Sequence, residues 1–126
     1  MGTPMSNQLK ILKNKKIDVE SGLYYCNDNE SLYFEILDTV LEESTEKRAL
    51  LKKWAAAKDF KGYYREVHAL KNVAATIGAD HFCDYLNNIC ATMKASKTFP
   101  NPLKIWVLIK RYDELLKIIK KSKKFN

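Results

Sequence analysis

From Gln8 to Lys121 the apolar residues recur at steps of three and four almost without interruption. That repeat puts side chains on one face of an α-helix. With 4 Gly and 3 Pro in 126 residues, a turn-rich β architecture is disfavoured and long helices are favoured. The length suits one domain with one core, and 46% hydrophobic residues can fill it. No apolar run reaches the length that spans a bilayer. No apolar stretch ahead of a small-residue cleavage site marks a secretory leader.

The periodicity predicts short helices over residues 8–14 and 17–23, the second capped by Asp18, and a turn near Asn27-Asp28-Asn29. A longer helix is predicted over 30–43, with Leu32, Tyr33, Ile36, Leu37, Val40 and Leu41 on its stripe. Ser44-Thr45 reads as a break, with Thr45 capping a helix over 46–57 that turns Leu50, Leu51, Trp54 and Ala55 inward. Asp59 is a suitable cap for a helix over 60–77, where Tyr63, Val67, Leu70, Ala74 and Ile77 fall at steps of four, three, four and three. Gly78 follows, a usual residue just past a helix end. Asp80 reads as the cap of a helix reaching about residue 94, with Phe82, Cys83, Leu86, Ile89, Cys90 and Met93 inward. Pro100 and Pro102 place 97–102 in a loop. The last helix is predicted over 103–121, with Ile105, Trp106, Ile109, Tyr112, Leu116 and Ile119 inward. The expected fold class is all-α, an antiparallel four-helix bundle with short additional N-terminal helices. Residues 1–8 are read as a tag or disordered start, and 9–126 as the domain.

The formal charge of +7 is unevenly spread. Residues 1–16 carry four lysines and no acid, and residues 104–124 carry seven lysines and Arg111 against Asp113 and Glu114. The two ends stand near +10 and the middle near −3. Such ends can bind an acidic surface or nucleic acid; more often they are solvated, and cations near a helix C-terminus suit its dipole. Cys26, Cys83 and Cys90 are odd in number and lack CxxC spacing, which argues against a disulfide framework or a zinc site. Buried free thiols in a reducing setting are expected. Tyr24, Tyr25, Tyr33, Phe34, Tyr63 and Tyr64 read mostly as core or bundle-end residues.

The chain has two histidines, His68 and His81. His68 lies on the predicted helix 60–77, one step off its core stripe. That places it at the edge between core and solvent, with Lys71 one turn on and Ala75 leaving space nearby. A neutral imidazole nitrogen is a competent nucleophile. A phosphoryl group on it would bring about two negative charges near neutral pH, which a neighbouring ammonium offsets by a charge-assisted hydrogen bond. The pattern is built to hold a group rather than to complete a reaction alone. His81 reads as a surface histidine, since Asp80 and Asp84 do not make up a metal-ligand set with it.

The string His68-Ala69-Leu70-Lys71-Asn72-Val73-Ala74-Ala75-Thr76-Ile77-Gly78-Ala79 resembles the signature of the histidine-containing phosphotransfer (HPt) domain family: His-x-Leu-Lys, a small pair, then an apolar-Gly-Ala helix end. The opening segment Ile17–Leu23 with Asn27-Asp28, and Tyr33 and Leu37, resemble further landmarks, so that the likeness covers about residues 16–95. The resemblance implies a helical bundle in which His68 is the phosphoacceptor and Lys71 steadies the phosphoryl group. It implies a carrier between response-regulator receiver domains, with or without a hybrid sensor histidine kinase, and not an enzyme in the turnover sense. No cofactor of its own is implied, the Mg²⁺ being supplied by the receiver, and no GxxxxGK[ST] or Gly-rich kinase motif is present. Neither a nucleic acid nor a membrane is expected as partner. A monomer is expected, in a cytoplasmic setting that includes the C-terminal end of a membrane-anchored hybrid kinase.

Tyr64, Arg65, Asn72 and Ala75 are expected to dock the receiver, with Lys61 and Lys71 around the histidine. Two departures stand out. Asn72 follows the lysine where the family usually has Gly, and Cys90 stands where many members offer a Glu or Gln to the imidazole. The competing readings are a helical module that binds an acidic surface or nucleic acid through its basic ends, and a degenerate member that docks receivers without accepting phosphate.

Overall fold

The computed structural model of the chain describes residues 5–124. Among them the fold is all-α, with six helices: α1 (Asn7–Asn14), α2 (Val19–Tyr25), α3 (Glu30–Ala57), α4 (Phe60–Ile77), α5 (Asp80–Ser96) and α6 (Pro102–Lys123). The four long helices pack in a ring, α3 on α4, α4 on α5, α5 on α6 and α6 on α3. Two-residue links between α3 and α4 and between α4 and α5 force neighbours to run antiparallel. α1 lies along α6, and α2 covers one end of α4.

The local sequence accounts for most of the boundaries. Side chains of Ser6, Asp18, Asn29, Asp59 and Asn101 each accept a backbone N–H in the first turn of their helices, which satisfies a donor that the helix itself leaves free. Gly78 ends α4 at φ 84°. A Cβ there would run into the Asp18 carbonyl, and the Asp18 N–H donates to the Gly78 carbonyl at 2.8 Å. The start of α2 is thus pinned to the end of α4. The buried Tyr33 hydroxyl adds a bond of 2.8 Å to the Ile77 carbonyl.

The longest departure from the predicted elements is in α3. Residues 30–57 form one helix with no break at Ser44-Thr45. The inward stripe runs on through Val40, Ser44, Lys47 and Leu51, at steps of four, three and four, with two polar residues in it. Both are satisfied where they stand: the Ser44 hydroxyl donates to the Leu41 carbonyl at 2.6 Å, and the Lys47 ammonium lies 2.7 Å from Glu66 of α4. A polar pair in a stripe imitates a loop in sequence; within the bundle it is a helix interior with its partners in place. Downstream, α3 meets α4 at Gly62, where a Cβ would stand 2.5 Å from the Trp54 ring. The glycine lets the indole lie against the backbone of α4.

Smaller differences have plain causes. Ala79, not Asp80, is the N-cap of α5, and no side chain bonds there, because the chain enters α5 directly from the left-handed turn at Gly78. Pro102 is the first residue of α6, a position where its missing N–H costs nothing. Residues 1–4 lie outside the described residues. Residues 6–8, read as part of a disordered start, belong to α1 and its cap, with Gln8 buried. Trp106 and Leu32, expected inward, are exposed, as are Tyr24 and Tyr25.

Candidate functional site

α4 holds its place with one face. Tyr63, Val67, Leu70, Ala74 and Ile77 are all buried in the core, and at 100° per residue the opposite face carries Lys61, Tyr64, His68, Asn72 and Ala75. His68 is therefore exposed, farther out than the boundary position read from the sequence. It sits near the middle of an 18-residue helix anchored by caps at both ends, so the imidazole projects from a rigid rod.

Three neighbours define its surroundings. The Tyr64 ring, one turn earlier, stacks on the imidazole with centroids 6.0 Å apart and planes 27° from parallel. Phe60 stacks in turn on Tyr64 at 6.3 Å and 3°. Steps of four along α4 thus build an aromatic column ending in the imidazole. The spacing 60, 64, 68 was present in the sequence, which assigned Tyr64 to docking and left Phe60 out. Lys71 is half-buried on the α5 side. Burial pushes the thiols of Cys83 and Cys90 on α5 up, and the nearby Lys71 charge pulls both back down. Asn72 stands on the other side of His68, at the rim of a groove of about 300 Å³ between α3 and α4 that Thr39, Lys47 and Thr76 also line.

The other expected positions are less uniform. Ala75 is half-buried beneath the exposed face and keeps the surface low there. Arg65 is exposed, but its guanidinium lies over the Trp54 ring at 5.7 Å, so it leans toward α3 and away from His68. Lys61 is exposed one turn beyond Tyr64. Cys90 is buried with a thiol kept protonated by burial, so it offers the imidazole no charged acceptor. The aromatic neighbour of the imidazole is Tyr64.

His81, in the first turn of α5, is also exposed but lies in a recess of about 170 Å³ with Lys15, Lys16, Arg111 and Glu114. Asp80 and Asp84 flank it on its own helix. No group of three or more potential ligands among the described residues could hold a metal ion.

A family model for the Hpt domain matches residues 35–98, half of the 126-residue chain. The chain belongs to the Hpt domain family. Members carry out histidine phosphotransfer in two-component phosphorelays as phosphocarriers, in contact with receiver domains and kinases. The match takes in most of α3 and all of α4 and α5, with both histidines. It leaves out α1, α2 and α6, so Ile17–Leu23, Asn27-Asp28 and Tyr33 lie outside the matched span of this Hpt domain and Leu37 lies within it. No curated protein and no solved structure matches the chain. No helix among the described residues is long and apolar enough to cross a membrane.

Proposed function

We propose that His68 is the phosphoacceptor of this Hpt domain and that it relays a phosphoryl group between receiver domains. The observation that carries the assignment is an imidazole projecting from mid-helix on the face of α4 that has no packing role. A nucleophile that must enter a partner's site has to stand proud of its own surface, with low neighbours. His68 does so, with Ala75 and Asn72 beside it. His81 lies instead in a recess where α5, α6 and the end of α1 meet, lined by Lys15, Lys16, Arg111 and Glu114, and not on an open helix face.

The chemistry needs little from this chain. An imidazole nitrogen lone pair attacks phosphorus of an aspartyl phosphate on the receiver, the P–O bond to the carboxylate breaks, and the carboxylate leaves with its electron pair. The receiver brings the Mg²⁺ that this exchange uses. Lys71 then donates to the phosphoryl oxygens on His68, a charge-assisted bond in partly dry surroundings. Tyr64 holds the ring so that its reactive nitrogen faces outward. Transfer to a second receiver is the same step reversed. Tyr64, Asn72 and Ala75 form the ground on which the receiver rests, with Arg65 toward its edge.

The test is direct. The chain is incubated with a phosphorylated receiver and Mg²⁺, and acid-labile label is followed. Label appears on the wild type and on His81→Gln and is lost from His68→Gln. Label on the His68→Gln protein would overturn the assignment. Docking of receivers without any label on the wild type would show a member that binds but does not carry.

A further inference from the structure

We infer that the outer face of α6, widened by α1, docks on an anionic lipid surface. In the chain the two basic ends lie far apart, and no membrane partner is expected from the sequence. The fold brings them together. α1 packs along the C-terminal half of α6, with Gln8 hydrogen-bonded to Ser122 and Lys15 and Lys16 beside Arg111 and Ile118.

The stripe on α6 is regular. Leu103, Trp106, Lys110, Lys117, Lys121 and Lys124 follow one another at steps of three, four, seven, four and three, all exposed, along about 32 Å of helix. None of these four lysines forms an ion pair among the described residues. α6 itself carries two acids: Asp113 is held by Arg48 of α3 at 2.6 Å and Glu114 remains, while Asp38 of α3 is taken up by Lys123 at 2.7 Å. Exposed Lys10, Lys15 and Lys16 extend the same sign onto α1.

Three observations favour a lipid surface over nucleic acid. The first is at the N-terminal end of the stripe, where Leu103 is 67% and Trp106 58% exposed. An interfacial Trp and a Leu gain by entering the headgroup boundary, whereas a duplex gives Leu little. Next, α6 is flanked by α1, α3 and α5. It therefore offers a broad face and not a protruding rod that enters a groove. Finally, the outward cations are lysines. The one arginine of α6, Arg111, lies over the Tyr85 ring at 4.3 Å and away from the stripe, so the fork geometry that reads bases and phosphates is missing. Lysine point charges suit the diffuse field of anionic lipids.

The placement is compatible with phosphotransfer without depending on it. α4 and α6 are diagonal in the ring, with no direct packing between them. A domain lying on its α6 face turns His68 away from the surface, toward a partner.

Flotation with phosphatidylcholine vesicles, with and without phosphatidylglycerol, tests the inference on the whole chain. Binding is expected to the mixed vesicles alone and to fall as salt rises. Lys117→Glu with Lys121→Glu should lower partitioning about tenfold or more, and Trp106→Ala several-fold. A version with Gln at both lysines gives the intermediate loss should the charge reversal disturb folding, which circular dichroism reports. Equal binding to both vesicle types, no binding to either, or displacement from vesicles by duplex DNA at equal charge would each overturn it.

Discussion

α4 and α6 are long amphipathic helices of the same bundle, each with one face in the core and one in solvent, yet the solvent faces differ in kind. The α4 face around His68 is mixed: an aromatic ring, a small residue and an amide, with Lys71 set back toward α5, Arg65 leaning toward α3 and Lys61 about two turns away. The α6 face is a row of lysines with a Trp and a Leu at one end. Core-facing residues of the two helices are interchangeable in type, since burial rewards only size and shape. Outward residues are free of that constraint, so they record what each face meets. A face that exchanges a covalent group works at contact distance and suits low relief with one reactive atom. A face that meets a charged surface acts over roughly a Debye length, about 8 Å at physiological salt, and suits many like charges with no special one among them.

The sharpest way to break that contrast is to remove the single atom on one side and several charges on the other. His68→Gln should abolish acid-labile labelling outright with folding unchanged, because an exposed side chain contributes little to the core. Reversing Lys117 and Lys121 should leave labelling at its wild-type rate in solution. Slowed labelling in the lysine variant would mean that the two faces are not independent.

Lys71→Ala comes next in size. A hydrogen bond to a charged group contributes roughly 1.5–3 kcal/mol, so single-turnover transfer from the receiver should slow by about ten- to a hundredfold. Lys71→Arg keeps the charge and should recover part of the loss, but not all, since its planar fork differs from a compact ammonium. An unchanged rate in Lys71→Ala would mean that the ammonium serves the α4–α5 seam and its thiols rather than the phosphoryl group.

Tyr64 has a smaller role that a pair of variants can isolate. Aromatic stacking contributes about 0.5–1.5 kcal/mol. Tyr64→Ala should therefore slow transfer a few-fold and shift the imidazole resonances of His68 in NMR spectra, and Tyr64→Phe should keep both near wild type. If Phe fails as Ala does, the hydroxyl contacts the receiver and the stack is incidental.

How much of this was legible in the sequence varies with the kind of signal. The core of α4 was read residue by residue, because Tyr63, Val67, Leu70, Ala74 and Ile77 keep strict helical steps and every one is buried. His68 was identified as the candidate, but its exposure was underestimated; a step count gives the angle from the stripe and not how far neighbouring helices wrap around. The continuity of α3 was missed, since only tertiary contacts show that Lys47 in the stripe has Glu66 waiting. Trp106 was placed inward on hydrophobicity alone. Its step from Leu103 and Lys110 already assigned it to the outer row. The union of the two basic ends was out of reach from sequence, because it depends on α1 returning along α6 from more than 100 residues away, as the Gln8–Ser122 pair shows.

Asn72 carries the smallest expected effect and the finest version of the contrast. Its neighbour Lys71 faces α5, and Asn72 faces the groove toward α3, so the two straddle the imidazole. A receiver that approaches His68 must pass over the amide, where the family usually has no side chain. Asn72→Gly should cost only a few tenths of a kcal/mol in stability, the difference between two poor helix formers, and thermal unfolding should register it as a shift of a degree or two. Over a panel of receivers, however, the glycine variant should accept label from more of them, with the cognate rate little changed. A panel profile identical to wild type would place the receiver's footprint on the Tyr64 side of the histidine, and selectivity would then be sought along the Phe60–Tyr64 column.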